Sequence, residues 1–178
     1  DAAQRLFVEK SIAATSIDDI ASCAAVAKGT FYLYFPSKEA LLHALQERFV
    51  AGFLERLQLA MDRCGPERWR PRLQAWVRTV IEGYLEQVRL HDVIFHEAQP
   101  YDRHAMSNNP LVDQLTGLLS DGARAGAWIA EEPRSTAIMF FHALHGGVDA
   151  AIADSKKVNR AKLIRSITTF VERALSAK

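Results

Sequence analysis

The stretch KGTFYLYFPSKEALL, residues 28–42, sets four aromatics within five positions between a Lys-Gly pair and a proline, then opens an apolar run with a polar trio. Two tyrosine hydroxyls and a lysine would each need a partner inside a core, so a polar surface is expected against this segment. A short helix over 29–35 sets Phe31 and Phe35 four positions apart, able to face the core together. Lys28, Thr30, Leu33 and Tyr34 then project from other faces, with Tyr32 near the boundary. Pro36 ends that helix, and Ser37 caps a long one whose first turn holds Lys38 and Glu39. A lysine beside free backbone N–H groups makes an anion site.

The residues upstream complete a pattern. Ser16 stands three positions before Asp19, a capping-box start for a helix whose buried side is Ile17, Ile20 and Ala21. Residues 2–10 carry the apolar pair Leu6 and Phe7. Two short helices joined by a tight turn in a trihelical unit form a helix-turn-helix, whose second helix can lie in a DNA major groove. In that geometry Lys28 directs charge at phosphate, Tyr32 and Tyr34 can donate hydroxyls to phosphate oxygens, and Gly29 lets the backbone approach the duplex.

Beyond residue 45 the helices lengthen. Leu42, Leu45, Phe49, Phe53, Leu57 and Met61 recur at three or four, as do Leu73, Trp76, Val80, Tyr84 and Val88. The spacing predicts helices over 37–63, from near Pro71, over 91–98, over 111–125 with Gly126 as a left-handed cap, over 133–153, and from an Asn159 cap to the end. Alternation of period two is absent, so the fold class is all-α: an N-terminal helix-turn-helix domain over 1–45 and a larger helical domain over 46–178, about nine helices altogether.

With 49% hydrophobic residues over 178 positions the chain is of globular type, and no run of about 18 apolar residues marks a membrane span. Cys23 and Cys64 fit no disulfide or zinc spacing, which points to the cytoplasm. The chain opens mid-helix without Met, so an N-terminal arm is expected ahead of Asp1. Residues 1–50 carry five cations against six carboxylates, and non-specific DNA affinity is expected to be modest unless that arm is basic.

Residues 15–42, TSIDDIASCAAVAKGTFYLYFPSKEALL, closely resemble the DNA-binding segment of the TetR (tetracycline-repressor) family of bacterial transcription regulators. The resemblance covers about a quarter of the chain and implies a homodimeric, all-helical repressor that a small effector releases from an inverted-repeat operator. By position it marks Thr30, Tyr32, Tyr34 and Lys38 as DNA contacts, with Lys28 beside them; Gly29, Leu33 and Ser16 complete the candidate set. Three departures stand out: Ser11 and Ala25 where the family commonly has Gly, and Ala27 where it has a Ser or Thr cap.

For the effector, Trp76, Tyr84, Phe95, Trp128, Phe140 and Phe141 supply aromatic mass, with His91, His96, His142 and Glu97 as polar anchors. Taken singly, each of these aromatics is more often core than pocket; if they do line one, a lipophilic molecule with one or two polar groups is expected. The helix over 133–153 is apolar around much of its circumference, so a homodimer is expected through Phe141, Leu144, Gly146, Gly147 and Val148 with Ile164, Ile167, Phe170 and Val171. Intramolecular packing or a pocket wall is the competing account of the two glycines. The histidines complete no recognisable ligand set, and no nucleophile-base order or phosphate loop appears, so neither metal, cofactor nor enzymatic activity is expected. A small helical enzyme and a helical adaptor are the alternatives, and both would lack operator binding.

Overall fold

A computed structural model describes residues 1–96, 108–154 and 157–176. Among them every regular element is helical: α1 (Ala2–Lys10), α2 (Ile17–Cys23), α3 (Lys28–Tyr34), α4 (Lys38–Asp62), α5 (Trp69–Glu86), α6 (Val88–His91) running into a π-helical turn (Asp92–His96), α7 (Pro110–Arg124), α8 (Pro133–Asp154) and α9 (Arg160–Ala174). The expected helices are present, most within a residue or two of their predicted ends, except that in place of the one expected over 91–98 a short α-helix ends at His91 and a π-helical turn follows it to His96. Glu97, the side chain of His96 and most of the 99–110 loop lie outside the described residues.

The chain forms two compact units, Asp1–Ala51 with Gln87–Asp102, and Gly52–Glu86 with Arg103–Lys178. This differs from the division at residue 45 in two ways. The chain passes from one unit to the other inside α4, and the α6 segment belongs with the N-terminal helices. Val93 and the fully buried Ile94 join Ala3, Leu6, Phe7, Ile20, Phe31, Leu41, Leu42 and Leu45 in one core. Gln46 donates to the Ile94 carbonyl at 2.5 Å and Arg89 to that of Val8 at 3.1 Å, closing this addition onto α4 and α1.

The second unit packs α5, α7, α8 and α9 around Leu57, Trp76, Ile81, Leu115, Leu119, Leu144 and Val148. Two helical glycines shape it. A Cβ on Gly83 would fall 2.4 Å from the Phe53 ring, and one on Gly122 would fall 2.1 Å from Trp128, so each aromatic fills the space a side chain would occupy. Gly126, at φ +73°, closes α7 in the left-handed conformation expected of it.

The first unit carries its own strain. Ser11 and Ala25 are the described non-glycine residues with positive φ, at +80° and +56°, and both are positions where the resembling family has Gly. Ala27, at the N-cap of α3, offers no side-chain hydrogen bond to the helix. Replacing Ser11 and Ala25 together by Gly is expected to stabilise the protein by about 1–2 kcal/mol, the relieved backbone strain outweighing the greater entropy of the unfolded chain. Thermal unfolding of the double variant checks this; an unchanged or lower midpoint would contradict it.

Candidate nucleic-acid interface

Helix α2 starts as its sequence requires. The Ser16 hydroxyl accepts from the Asp19 N–H at 3.1 Å, and the Asp19 carboxylate accepts from the Ser16 N–H at 3.0 Å. These bonds, with Lys10 3.5 Å away, hold the Asp19 carboxyl below the ordinary range. The Ala24–Val26 turn then delivers the chain to α3, where Phe31 is buried and stacks against Phe35 with ring centroids 5.7 Å apart. That anchor fixes which side of a seven-residue helix faces out.

The outer side holds most of the residues singled out from sequence. Tyr32, Leu33 and Tyr34 are exposed at 48%, 82% and 76%; Lys28 and Gly29 are exposed and Thr30 half-buried. A Cβ at Gly29 would meet open space, so the backbone there is free to approach a ligand. Ser16 is exposed at the start of α2.

Lys38 is placed differently from a free phosphate contact. Its ammonium donates to the carbonyls of Ile12 at 2.8 Å and Thr15 at 3.0 Å, tying the first turn of α4 to the link between α1 and α2. Lys28 also has a partner that sequence reading missed: Asp18, at 2.8 Å, whose hydrogen bond and charge hold the ammonium above the ordinary lysine range. The two lie ten residues apart on different helices, a separation that no helical periodicity signals.

The aromatic set expected for an effector falls into two groups, one in each unit. In the first unit His91 and Phe95 cluster with Phe49, ring centroids 5.2 to 6.2 Å apart. In the second, Trp76, Tyr84, Trp128, Phe140 and Phe141 are buried and the first three have their polar atoms engaged: Trp76 with Gln114 at 3.1 Å, Tyr84 with Asp149 at 2.6 Å, Trp128 with the Leu119 carbonyl at 2.8 Å. His142 is exposed on α8. Among the described residues no three His, Cys, Asp or Glu side chains gather as a metal site would require.

Of the residues expected between subunits, Phe141, Leu144, Val148, Ile164, Ile167 and Val171 are buried within their own unit. Gly147 faces Ile167 of the same chain, its added Cβ falling 3.2 Å from the Ile167 Cδ1, whereas Gly146 faces open space and Phe170 is half exposed. The outward side of α8 is instead Met139, Ala143, Gly146, Ala150 and Ala153, all exposed and spaced by four and three. That spacing was visible in the sequence, masked by the larger residues between.

The geometry is that of a helix-turn-helix domain followed by an all-helical unit. Residues 1–45 match the family described as bacterial regulatory proteins, tetR family. The chain is 44% identical over 54 residues to the HTH-type transcriptional regulator YerO of Bacillus subtilis, covering 30% of this chain and 19% of that protein. It is 54% identical over 43 residues to the HTH-type transcriptional regulator EthR of Mycolicibacterium smegmatis, covering 24% and 20%. The chain thus matches about a fifth of the length of these curated relatives. Its fold matches that of the regulator FadR from Bacillus subtilis, solved in complex with stearoyl-CoA, with a TM-score of 0.79 over 96% of this chain and 94% of that one, at 22% identity. The match to the tetR family of bacterial regulatory proteins spans the helix-turn-helix domain, residues 1–45. Regulators of this family bind DNA and small-molecule effectors and are typically dimers.

Proposed function

We propose that this chain is a sequence-specific DNA-binding transcriptional regulator, working in the cytoplasm as a homodimer on an inverted repeat. The observation that carries the reading is the outward side of α3, where Thr30, Tyr32, Leu33 and Tyr34 stand around a buried Phe31 anchor. A twofold dimer presents two such helices to half-sites about one helical turn apart, about 34 Å on duplex DNA.

The dimer is assigned to the exposed stripe of α8 with Phe170 of α9. By length and composition α8 is apolar enough to cross a membrane, yet only 28% of that stretch is buried in the chain and its inner side packs against α5, α7 and α9. A second copy laid on the small-residue stripe would allow close helix approach and bury the apolar remainder.

Repression lifted by a small lipophilic effector is the regulatory part of the proposal, with the second unit's aromatics as the lining. Helix α4 is one of the covalent connections from that unit to the first, and an effector changes operator affinity only by its preference between states, typically about 1–3 kcal/mol. Fluorescence anisotropy on duplexes from the DNA flanking the gene tests the reading. Saturable binding to one fragment, at least tenfold tighter than to random duplex at the same salt, is expected; equal affinity for all fragments would overturn it.

A further inference from the structure

The strongest unassigned feature of the described molecule is the apolar tip of α3. Eight large hydrophobic side chains are exposed among the described residues, and four of them, Val26, Tyr32, Leu33 and Tyr34, fall within residues 26–34; Leu33, at 82%, is the most exposed. Phe31 is buried, and a side chain two positions on along an α-helix points to nearly the opposite side. Thr30, Leu33 and Tyr34 sit at i, i+3 and i+4 and share one face, so a leucine is flanked there by two hydroxyl-bearing residues.

Charge leaves discrimination to such neutral groups. Each of the five cations in residues 1–50 is engaged within the unit: Arg5 with the Cys23 sulfur at 2.6 Å, Lys10 with Asp19, Lys28 with Asp18, Lys38 with two carbonyls, and Arg48 with Asp1 and Gln4. Leucine has neither donor nor acceptor. Set against phosphate or the polar edge of a base it would displace water and return no hydrogen bond. One feature of the major groove is apolar, the C5 methyl group of a pyrimidine.

Resting on the DNA-binding reading, we propose that Leu33 is a specificity-determining residue that recognises a pyrimidine 5-methyl group, the thymine methyl at one position of each half-site. The occupant of this surface is therefore a duplex with a T·A pair under Leu33, and the surface is continuous with the helix-turn-helix face. Thymine and 5-methylcytosine share the methyl; the test separates them.

The sequence enriched from a random pool is resynthesised with each thymine replaced singly by deoxyuridine, which removes only the methyl. At one position per half-site the wild-type protein is expected to lose about fourfold in affinity, and about fifteenfold when both half-sites carry the change, as for one buried methyl each. Leu33→Ala is expected to bind the thymine and deoxyuridine duplexes equally. Restoring the methyl as 5-methylcytosine at the same position should bind better than cytosine and worse than thymine; tighter binding than thymine would assign the site to methylated DNA and overturn the proposal. So would indifference of the wild type to deoxyuridine at every position, or a deoxyuridine penalty that survives Leu33→Ala. These results leave DNA binding intact, whereas a pool with no enriched sequence removes both readings.

Discussion

With Gly146→Glu, the protein is expected to sediment as a monomer at micromolar concentration where the wild type sediments as a dimer, and to lose roughly a hundredfold or more in operator affinity. Gly146 faces open space on the exposed side of α8, in register with Met139, Ala143, Ala150 and Ala153, so a side chain can leave the helix there without meeting a neighbour at its Cβ. Across a twofold interface it would bring two like charges into an apolar contact, a cost of about 3 kcal/mol or more. Its neighbour separates the two accounts of the glycine pair. Gly147 meets Ile167 of the same chain, so Gly147→Leu is expected to lower the monomer's stability, while Gly146→Glu, which replaces a helix-interior glycine at an open position, does not lower the melting of diluted protein. A dimeric Gly146→Glu variant with wild-type operator binding would move the interface elsewhere.

Lys38→Met is expected to destabilise the protein by about 2–3 kcal/mol, read from urea unfolding at neutral pH. The ammonium donates to the carbonyls of Ile12 and Thr15, and Thr15 is itself buried at 1% exposure with its hydroxyl donating to the Ser11 carbonyl at 2.7 Å. Methionine keeps the stem and removes the donor, leaving two carbonyls on the α1–α2 link without their charged partner. Hydrogen bonds to charged groups are worth about 1.5–3 kcal/mol each, and half-exposure of Lys38 lowers the pair to the range given. Were Lys38 chiefly a phosphate contact, stability would hold and the salt slope of DNA binding would fall by about one. Unfolding unchanged from wild type, together with that smaller slope, would contradict the structural assignment.

Much of this architecture could be read from sequence because the determining signals are local. Ser16 and Asp19 cap α2, Phe31 and Phe35 fix the inner side of α3, and Gly126 ends α7; each acts within four or five residues. The features that escaped depend on partners far along the chain. Leu90, Val93 and Ile94 are apolar at helical spacing, but nothing in that spacing says that they fill the core of the N-terminal helices. The engagement of Lys28 by Asp18 and of Lys38 by two carbonyls is equally non-local, and turns lysines expected to be free into tethered ones. Ser11, Ala25 and Ala27 stand between these cases: the resemblance marks them as departures, and the backbone shows two unfavourable φ values and an uncapped helix at those places. The aromatics of the second unit carry a cue of a different kind. Gly83 and Gly122 are helix-interior glycines, residues costing about 1 kcal/mol against alanine, and each makes room for a ring.

Whether this helix-turn-helix reads a particular sequence as a twofold dimer is decided by selecting bound duplexes from a random pool with the wild-type protein. Enrichment of one inverted repeat is expected, its half-sites centred about 10 base pairs apart or a multiple of that, with a thymine fixed at the same place in each half. A folded, dimeric sample that enriches no sequence over the starting pool would contradict it.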